Sequence, residues 1–492
     1  MSPKSPILSE IDLATVKKRT VKGVAALSGR TFFLQAISFF GFFFLTVFLG
    51  KGEIGLFFAI SELVAILGYF SDIGLAAALI QKKEKPQDSE IRSTFTIQQA
   101  LVLTLVVLVF ILTPFLSQFY NISQAGIYLL WAFTISFFLS SLKTIPSVLL
   151  ERHLRFDKLV IVDIVEAFLF NVIAVILAWQ GFGVTSYTAA VLTRGLAGVI
   201  LIYILSPWQI GLAFDKESLK RLLSFGITYQ TNTFLAVIKD RLMNVFLWKI
   251  IGAEGVGILG WAQKWAQMPL RFVMDSVIKV TFPAYSRMQE DPKELQSAIE
   301  KTIFFIALLV FPSLLGLLIL AKPLVEIIPK YTKWETALLA LYLYGVNSAW
   351  GAVTTPLTNA LTAVGKIKTV FKLMVMWTAL TWALFPLLAV KFGYNGVALA
   401  SALVATTSVV AIWATKRIIS FSFWASIKKP LLSACIMGIV LLILAPLLAK
   451  NILGIIFLVL VGTLIYFGFV YILVGQKFLD DVKKIISTIK TG

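Results

Sequence analysis

An all-α integral membrane protein of about fourteen transmembrane helices is the fold class that three features of the sequence predict. The 492 residues are 59% hydrophobic and only 14% charged, with a mean hydropathy of +0.90. Soluble domains run at about 45–50% apolar and about 25% charged, so this chain carries more apolar surface than water-soluble cores can hide. Apolar runs of about 20 residues, the length that crosses about 30 Å of hydrocarbon, recur along it with short polar breaks. The chain also repeats itself at a nearly constant offset, which divides it into two parallel-repeat six-helix lobes followed by two C-terminal helices.

Taken in order, residues 1–20 are polar and read as a cytoplasmic N-terminal segment. The apolar run behind them is far longer than a signal-peptide core of about 7–15 residues, so it reads as a first span and not as a removable leader. In EIDLATVKKRT, Ile11, Leu13 and Val16 stand among Lys17, Lys18 and Arg19, which predicts a short amphipathic turn on the membrane surface. Breaks at charged residues, Gly and Pro place the first lobe, 21–205, in six helices: Val21 to Gly50, Ile54 to Ile80, Phe95 to Leu116, Ala125 to Leu142, Leu159 to Trp179 and Val184 to Leu205. A cytoplasmic linker, 206–221, leads to the second lobe, 222–418. Its helices are Leu222 to Ile251, Val256 to Val280, Thr302 to Leu320, Ala337 to Thr358, Val370 to Val390 and Val397 to Ala414. Two additional helices lie within 431–474, and 475–492 is a charged cytoplasmic tail.

The net charge of +19 does not point to nucleic acid, which needs basic residues gathered on one soluble face, because here they punctuate apolar runs. Lys and Arg concentrate instead in alternate loops: Lys82, Lys83, Lys85 and Arg92, then Arg152, Arg155 and Lys158, then Lys416, Arg417, Lys428 and Lys429. The intervening loops hold few, chiefly Lys51, Lys322, Lys330, Lys333 and Lys391. By the positive-inside bias the rich loops, and with them both termini, are cytoplasmic. With one His (His153) and one Cys (Cys435), the chain lacks material for Cys/His metal sites, an internal disulfide or a His-based triad, and no metal is expected.

The repeat is read from three ordered matches. LGKGEIG at Leu49–Gly55 reappears as IGAEGVG at Ile251–Gly257, an offset of 202. PSVLLERHLRFDK from Pro146 matches PLTNALTAVGKIK from Pro356, an offset of 210, and GFGV at Gly181 resembles GYNGV at Gly393, an offset of 212. Six helices separate the copies, an even number, so the halves share one orientation, as in transporters built from parallel repeats with the substrate site between them.

These same residues carry a family resemblance. FLTVFLGKGEIGLFFAISELVAILGYFSDIGLAAALIQ from Phe44, PSVLLERHLRFDKL from Pro146, VIKDRLMNVFLWKIIGAEGVGILGWAQKWAQMP from Val237 and VTFPAYSRM from Val280 resemble the oligosaccharide flippases and polysaccharide exporters of the multidrug/oligosaccharidyl-lipid/polysaccharide exporter superfamily. The resemblance runs over essentially the whole chain and implies two six-helix lobes with two extra helices.

Charges inside the apolar runs are the candidate site, since one at the bilayer centre costs about 2.5–3.5 kcal/mol and such residues face a wet cavity or each other. In the eighth predicted helix Lys264, Arg271 and Asp275 stand at i, i+7 and i+11, with Gln267 and Lys279 near the same line. At about 100° per residue the three fall within about 20° of one face. That stripe reads as a cationic cavity wall matched to an anionic headgroup, or as a pair between Arg271 and Asp275 that serves packing. Lys239, Asp240 and Arg241 lie mid-way along the seventh helix on different faces, and Asp240 can partner a neighbouring base. Arg30 lies about two turns in from Lys22, as a cavity base or as a side chain reaching back to the cytoplasm. Glu62, the repeat equivalent of Lys264, is a carboxylate that can bind H⁺ or Na⁺ or pair with a base.

Arg194 is similarly placed with less support, and Asp163, Glu166 and Lys372 read as interfacial. Tyr342, Tyr344, Asn347, Ser348 and Trp350 read as an aromatic packing face ahead of a sugar-binding one. No GxxxxGK[ST] occurs, so ATP hydrolysis in this chain is not expected to drive transport.

The resemblance then implies a non-enzymatic, monomeric transporter of the inner (cytoplasmic) membrane without a resident cofactor. It would flip a polyprenyl-diphosphate-linked oligosaccharide to the outer leaflet by alternating access, coupled to Na⁺ or H⁺ if to any ion, beside other polysaccharide-assembly proteins. Excess cavity bases favour that anionic substrate over the cationic drugs of an antiporter. A lipid II flippase and a membrane sugar polymerase or ligase are the other readings; the last is disfavoured by the short outer loops, of which Lys322 to Glu335 is the longest.

Overall fold

The computed structural model describes residues 13–72, 74–82, 84, 86–215 and 237–475, with side chains described in these ranges except at 13–28, 72, 238, 275, 276 and 279. Among the described residues all regular structure is helical, and 11 segments are long and apolar enough to cross a membrane. The chain divides into two compact units, Met1–Gly257 and Ile258–Gly492.

In the first unit α1 (Leu13–Phe48), α2 (Lys51–Asp72), α3 (Leu75–Gln81), α4 (Asp88–Tyr120), α5 (Gln124–Leu142), α6 (Thr144–Arg152), α7 (Phe156–Trp179) and α8 (Thr185–Leu205) follow one another. Several helices begin where a side chain satisfies free backbone N–H groups. Ser123 Oγ accepts from Gly126 N at the start of α5, and Gln87 and Glu90 form a capping box at the start of α4. Glu90 is itself buried and takes Lys82 Nζ at 2.7 Å, and Arg152 donates to the carbonyls of Leu79 and Ile80 in the last turn of α3 and to those of Lys82 and Glu84 just past it. One basic side chain therefore closes α3 where its own carbonyls lack partners. Beyond α8 the chain runs extended along α4: Ala213 N donates to Thr96 Oγ1 and Asp215 N to Ser93 Oγ.

A π-helical turn, Val237–Leu242, leads into α9 (Met243–Arg287), whose helical path breaks at Gly252, φ +70°. Residues 237–257 belong to the first unit. There Trp248 stacks on Tyr120 at 4.3 Å, Lys249 Nζ reaches the Phe119 carbonyl at 2.5 Å, and Lys51 pairs with Glu254 at 3.3 Å.

The second unit holds the rest of α9, then α10 (Pro292–Ile327), a 3-10 turn (Thr332–Ala337), α11 (Leu338–Ala363), α12 (Ile367–Thr406), α13 (Ser408–Lys416), α14 (Phe423–Leu448) and α15 (Ile452–Val474). Asp291 caps α10 by accepting from Lys293 N and Glu294 N, with Pro292 at the first helical position. Ile299, Ile303, Ile306 and Val310, all at 0% exposure, recur every three to four residues along the core face of α10. Tyr466 of α15 donates to the Leu308 carbonyl at 2.8 Å in this core, and Trp261 stacks on the buried Trp334 at 5.2 Å while donating to Tyr331.

The all-α membrane fold is as expected, and α5, α7, α8 and α15 start and stop within a few residues of their predicted bounds. Others differ, α4 and α14 beginning about two turns early and α12 running from the predicted eleventh helix into the twelfth, and four differences stand out. α1 is already helical at Leu13, so the expected surface turn continues into the first helix. The second helix splits at Gly74, φ +74°, into α2 and α3. The segment from Pro146, expected as a connection, forms most of α6. α10 begins about three turns earlier than hydropathy places it, because its first residues are polar and capped. Residues 1–12 and 476–492, the last six residues of the linker and the first half of the predicted seventh helix lie outside the described residues.

Local geometry repeats with the sequence. Three-residue turns, 153–155 and 364–366, join α6 to α7 and α11 to α12. Gly181 (φ +87°) and Gly393 (φ +59°) both take a positive φ, which glycine adopts without steric cost.

Candidate functional site

α7 carries two carboxylates, Asp163 and Glu166, at i and i+3, hence on one face of the helix. α1 packs along α7 and brings Arg30 to Asp163, Nε to Oδ2 at 2.7 Å, with both side chains about one-third exposed. Glu166 is only 5% exposed. Lys143, at the one-residue break between α5 and α6, pairs with its Oε1, and Arg194 of α8 with its Oε2 at 3.4 Å. Gly198, one turn beyond Arg194, supplies the space: a Cβ there would lie 1.7 Å from Glu166 Oε1. The expectation that Asp163 and Glu166 are solvated helix ends is corrected. Both are ion-paired between helices, because a carboxylate this deep has cations close by to compensate it.

Arg241, in the π turn, donates from Nη1 to Glu62 Oε2 of α2 at 2.9 Å. Lys239 turns to its neighbour Asp240 at 2.7 Å. Lys239 and Asp240 thus pair with each other while Arg241 reaches α2, and π turns are frequent at functional positions. Glu62 is held by a base in this structure.

In the second unit Arg271 is exposed, and its Nη2 donates to Gln267 Oε1, one turn back, at 3.0 Å. Lys264, two turns before Arg271 on the same line, is half-buried. The Asp275 and Lys279 side chains lie outside the described residues, so the expected Arg271–Asp275 pair does too; Arg271 pairs with Gln267. On α11, Tyr344 and Ser348 are buried and Asn347 donates to the Ser401 carbonyl, which is a packing face.

The structure therefore joins Arg30 to Asp163 and Arg241 to Glu62, keeps Lys239 on its own helix, and sets Lys264 and Arg271 on one line of α9. The Lys143–Glu166–Arg194 cluster was missed as a unit. Its one sequence signal was the i, i+3 spacing of Asp163 and Glu166, since the cations come from helices 23 and 28 residues away. Among the described residues no group of His, Cys, Asp and Glu is arranged to hold a metal ion.

A family model described as "Polysaccharide biosynthesis protein" matches residues 44–338. The succinoglycan biosynthesis transport protein ExoT of Rhizobium meliloti is 24% identical over 415 residues, 82% of each chain. The lipopolysaccharide biosynthesis protein WzxC of Escherichia coli is 21% identical over 370 residues, 74% of each. The teichuronic acid biosynthesis protein TuaB of Bacillus subtilis is 22% identical over 382 residues, 75% of this chain and 77% of that one. Among solved structures, the fold is similar to the lipid II flippase MurJ in an inward closed conformation, with a TM-score of 0.69 at 17% identity over 92% of this chain and 99% of that one. It is also similar to an inward-facing multidrug resistance MATE transporter of the MOP superfamily, with a TM-score of 0.58 at 17% identity over 78% and 94%.

Proposed function

We propose, from the premise that this chain belongs to the polysaccharide biosynthesis protein family, that it flips a polyprenyl-diphosphate-linked oligosaccharide from the cytoplasmic to the outer leaflet for cell-surface polysaccharide assembly. The observation that carries this reading is that its membrane-embedded arginines stay available. Arg30 and Arg241 are 35% and 43% exposed although each is paired, and Arg271 is exposed with a neutral partner.

A guanidinium in a span costs free energy unless it meets a carboxylate, water or an anion, and its planar fork suits phosphate oxygens. The groups that hold the diphosphate are among Arg30, Lys239, Arg241, Lys264 and Arg271, and the polyprenyl tail stays in lipid. No bond of the substrate is made or broken. The protein works by alternating access in the inner membrane, with both termini cytoplasmic and no resident cofactor. It acts as a monomer alongside other polysaccharide-assembly proteins. Transport draws on an H⁺ or Na⁺ gradient through a carboxylate such as Asp240, or on removal of the product outside.

The test is translocation of a fluorescent lipid-linked oligosaccharide in proteoliposomes, against a cationic drug as the rival cargo. Flipping of the first and not the second is expected; drug movement without flipping overturns the reading.

A further inference from the structure

We infer that Arg194, which pairs with Glu166 much as Arg30 pairs with Asp163, forms with Arg30 a two-guanidinium station for a diphosphate group inside the first unit. This rests on the flippase reading and adds to it a binding residue and a place along α7.

Five ionisable side chains meet there at similar depth. By helical rise Asp163 lies ~10 Å from the start of α7, Lys143 ~14 Å from the end of α6 and Arg194 ~16 Å from the end of α8. Arg30, Lys143 and Arg194 supply three positive charges against two from Asp163 and Glu166, so the cluster keeps an excess of +1. An excess cation within membrane spans favours an anionic ligand.

The pairing geometry says what kind. Arg30 meets Asp163 through Nε, and Arg194 meets Glu166 through Nε. The anchoring carboxylates therefore meet the inner nitrogen of each guanidinium, and the Nη1 and Nη2 ends remain to donate. Glu166 divides its oxygens, Oε1 to Lys143 and Oε2 to Arg194, and so fixes Arg194 while Lys143 answers its other oxygen. Arg194 stays 53% exposed on this buried anchor. Two such forks, rooted one helical turn apart on one face of α7, offer paired donors to two joined phosphoryl groups, where a single carboxylate ligand would use one fork. Arg194 is thus a binding residue, and Glu166, seated against Gly198, is a positioning residue.

The experiment measures binding of inorganic pyrophosphate by calorimetry to the purified full-length protein in phosphatidylcholine nanodiscs. Arg194→Lys keeps a charge for Glu166 and loses the fork, so it should preserve the thermal midpoint while weakening pyrophosphate at least tenfold. Arg194→Gln should weaken it further, and Gly198→Ala, which displaces Glu166, should weaken it with Arg194 intact. Inorganic phosphate should bind wild type at least tenfold more weakly than pyrophosphate.

Unchanged pyrophosphate affinity in both Arg194 variants overturns the station and leaves the ion pair as packing. Loss of pyrophosphate binding in phosphatidylglycerol nanodiscs, with flipping of the lipid-linked oligosaccharide intact, overturns it in favour of a phospholipid headgroup. Flipping by wild type is scored separately: if wild type flips and the Arg194 variants bind pyrophosphate normally, this inference alone falls. If wild type binds pyrophosphate through Arg194 and does not flip, the proposed function falls.

Discussion

Gly55 stands against the carbonyl of Ala253 so closely that a Cβ would lie 1.6 Å from its oxygen, and Gly257 stands in the same relation to the carbonyl of Lys51, at 1.9 Å. Under the offset of 202 residues Gly55 becomes Gly257 and Lys51 becomes Ala253, so the two copies of the motif make one reciprocal contact, the pattern of a local two-fold. All four residues lie in the first unit. Glycine is required here because the obstacle is backbone, which cannot rotate away as a side chain can.

Gly55→Ala or Gly257→Ala should therefore each destabilise the protein by about 1–3 kcal/mol, the usual range for overpacking. The double variant should cost less than the sum, since separating the backbones for one Cβ admits the other. Gly52→Ala is the control, because a Cβ there meets nothing within 4 Å and alanine is the better helix former. Thermal midpoints in detergent decide the matter, and equal midpoints for Gly52→Ala and Gly55→Ala would show that the contact carries no energy.

The Glu62–Arg241 pair recasts the carboxylate that sequence placed opposite a basic wall. Held at 2.9 Å with both partners part-exposed, it is worth on the order of 1 kcal/mol or less to stability. Its larger effect is expected on transport. Glu62→Gln should lower the flipping rate several-fold and leave any H⁺ or Na⁺ dependence as in wild type. The exchanged pair Glu62→Arg with Arg241→Glu should recover more activity than either single change. Loss of ion dependence in Glu62→Gln, measured as rate against pH and Na⁺, would assign coupling to Glu62.

Glu166 sits between Lys143 and Arg194 at 5% exposure, and removing one member of a buried charge group strands the others. Glu166→Gln should cost about 3–5 kcal/mol and lower the thermal midpoint more than Asp163→Asn, because Asp163 is 39% exposed. Lys143→Gln added to Glu166→Gln should restore part of the loss, as the two charges leave together. A double variant no more stable than Glu166→Gln would mean that Arg194 alone answers this carboxylate.

How much of this was legible in the sequence depends on whether a feature is local. α15 is one apolar run between Asn451, which caps it, and Gly475, so hydropathy and punctuation place both ends. The turns after α6 and α11 and the paired glycines Gly181 and Gly393 were visible as repeats. The first turns of α10 were not, because a capped polar helix start looks like loop to hydropathy. Nor was the partner of Arg241, 179 residues from Glu62, since periodicity gives the face of a helix and not its neighbour. Glu166 was misread for the same reason: nearness to a helix end stood in for solvation, and only the packing of α5 and α8 shows it enclosed.

Arg271 gives the sharpest separation of charge from geometry in the second unit. Its Nη2 is steadied by Gln267 at 3.0 Å, a neutral partner that orients the guanidinium without cancelling its charge. Lys264 lies two turns away on the same line of α9, close enough for the two positive charges to disfavour each other. An anion between them relieves that repulsion, and Arg271 alone presents the planar fork. Arg271→Lys should thus reduce flipping in proteoliposomes about tenfold with the thermal midpoint unchanged. Gln267→Leu, which leaves the fork in place and removes its support, should fall between Arg271→Lys and wild type. Arg271→Ala with Lys264→Ala should abolish transport, and full activity in that double variant would remove the bases of α9 from the mechanism.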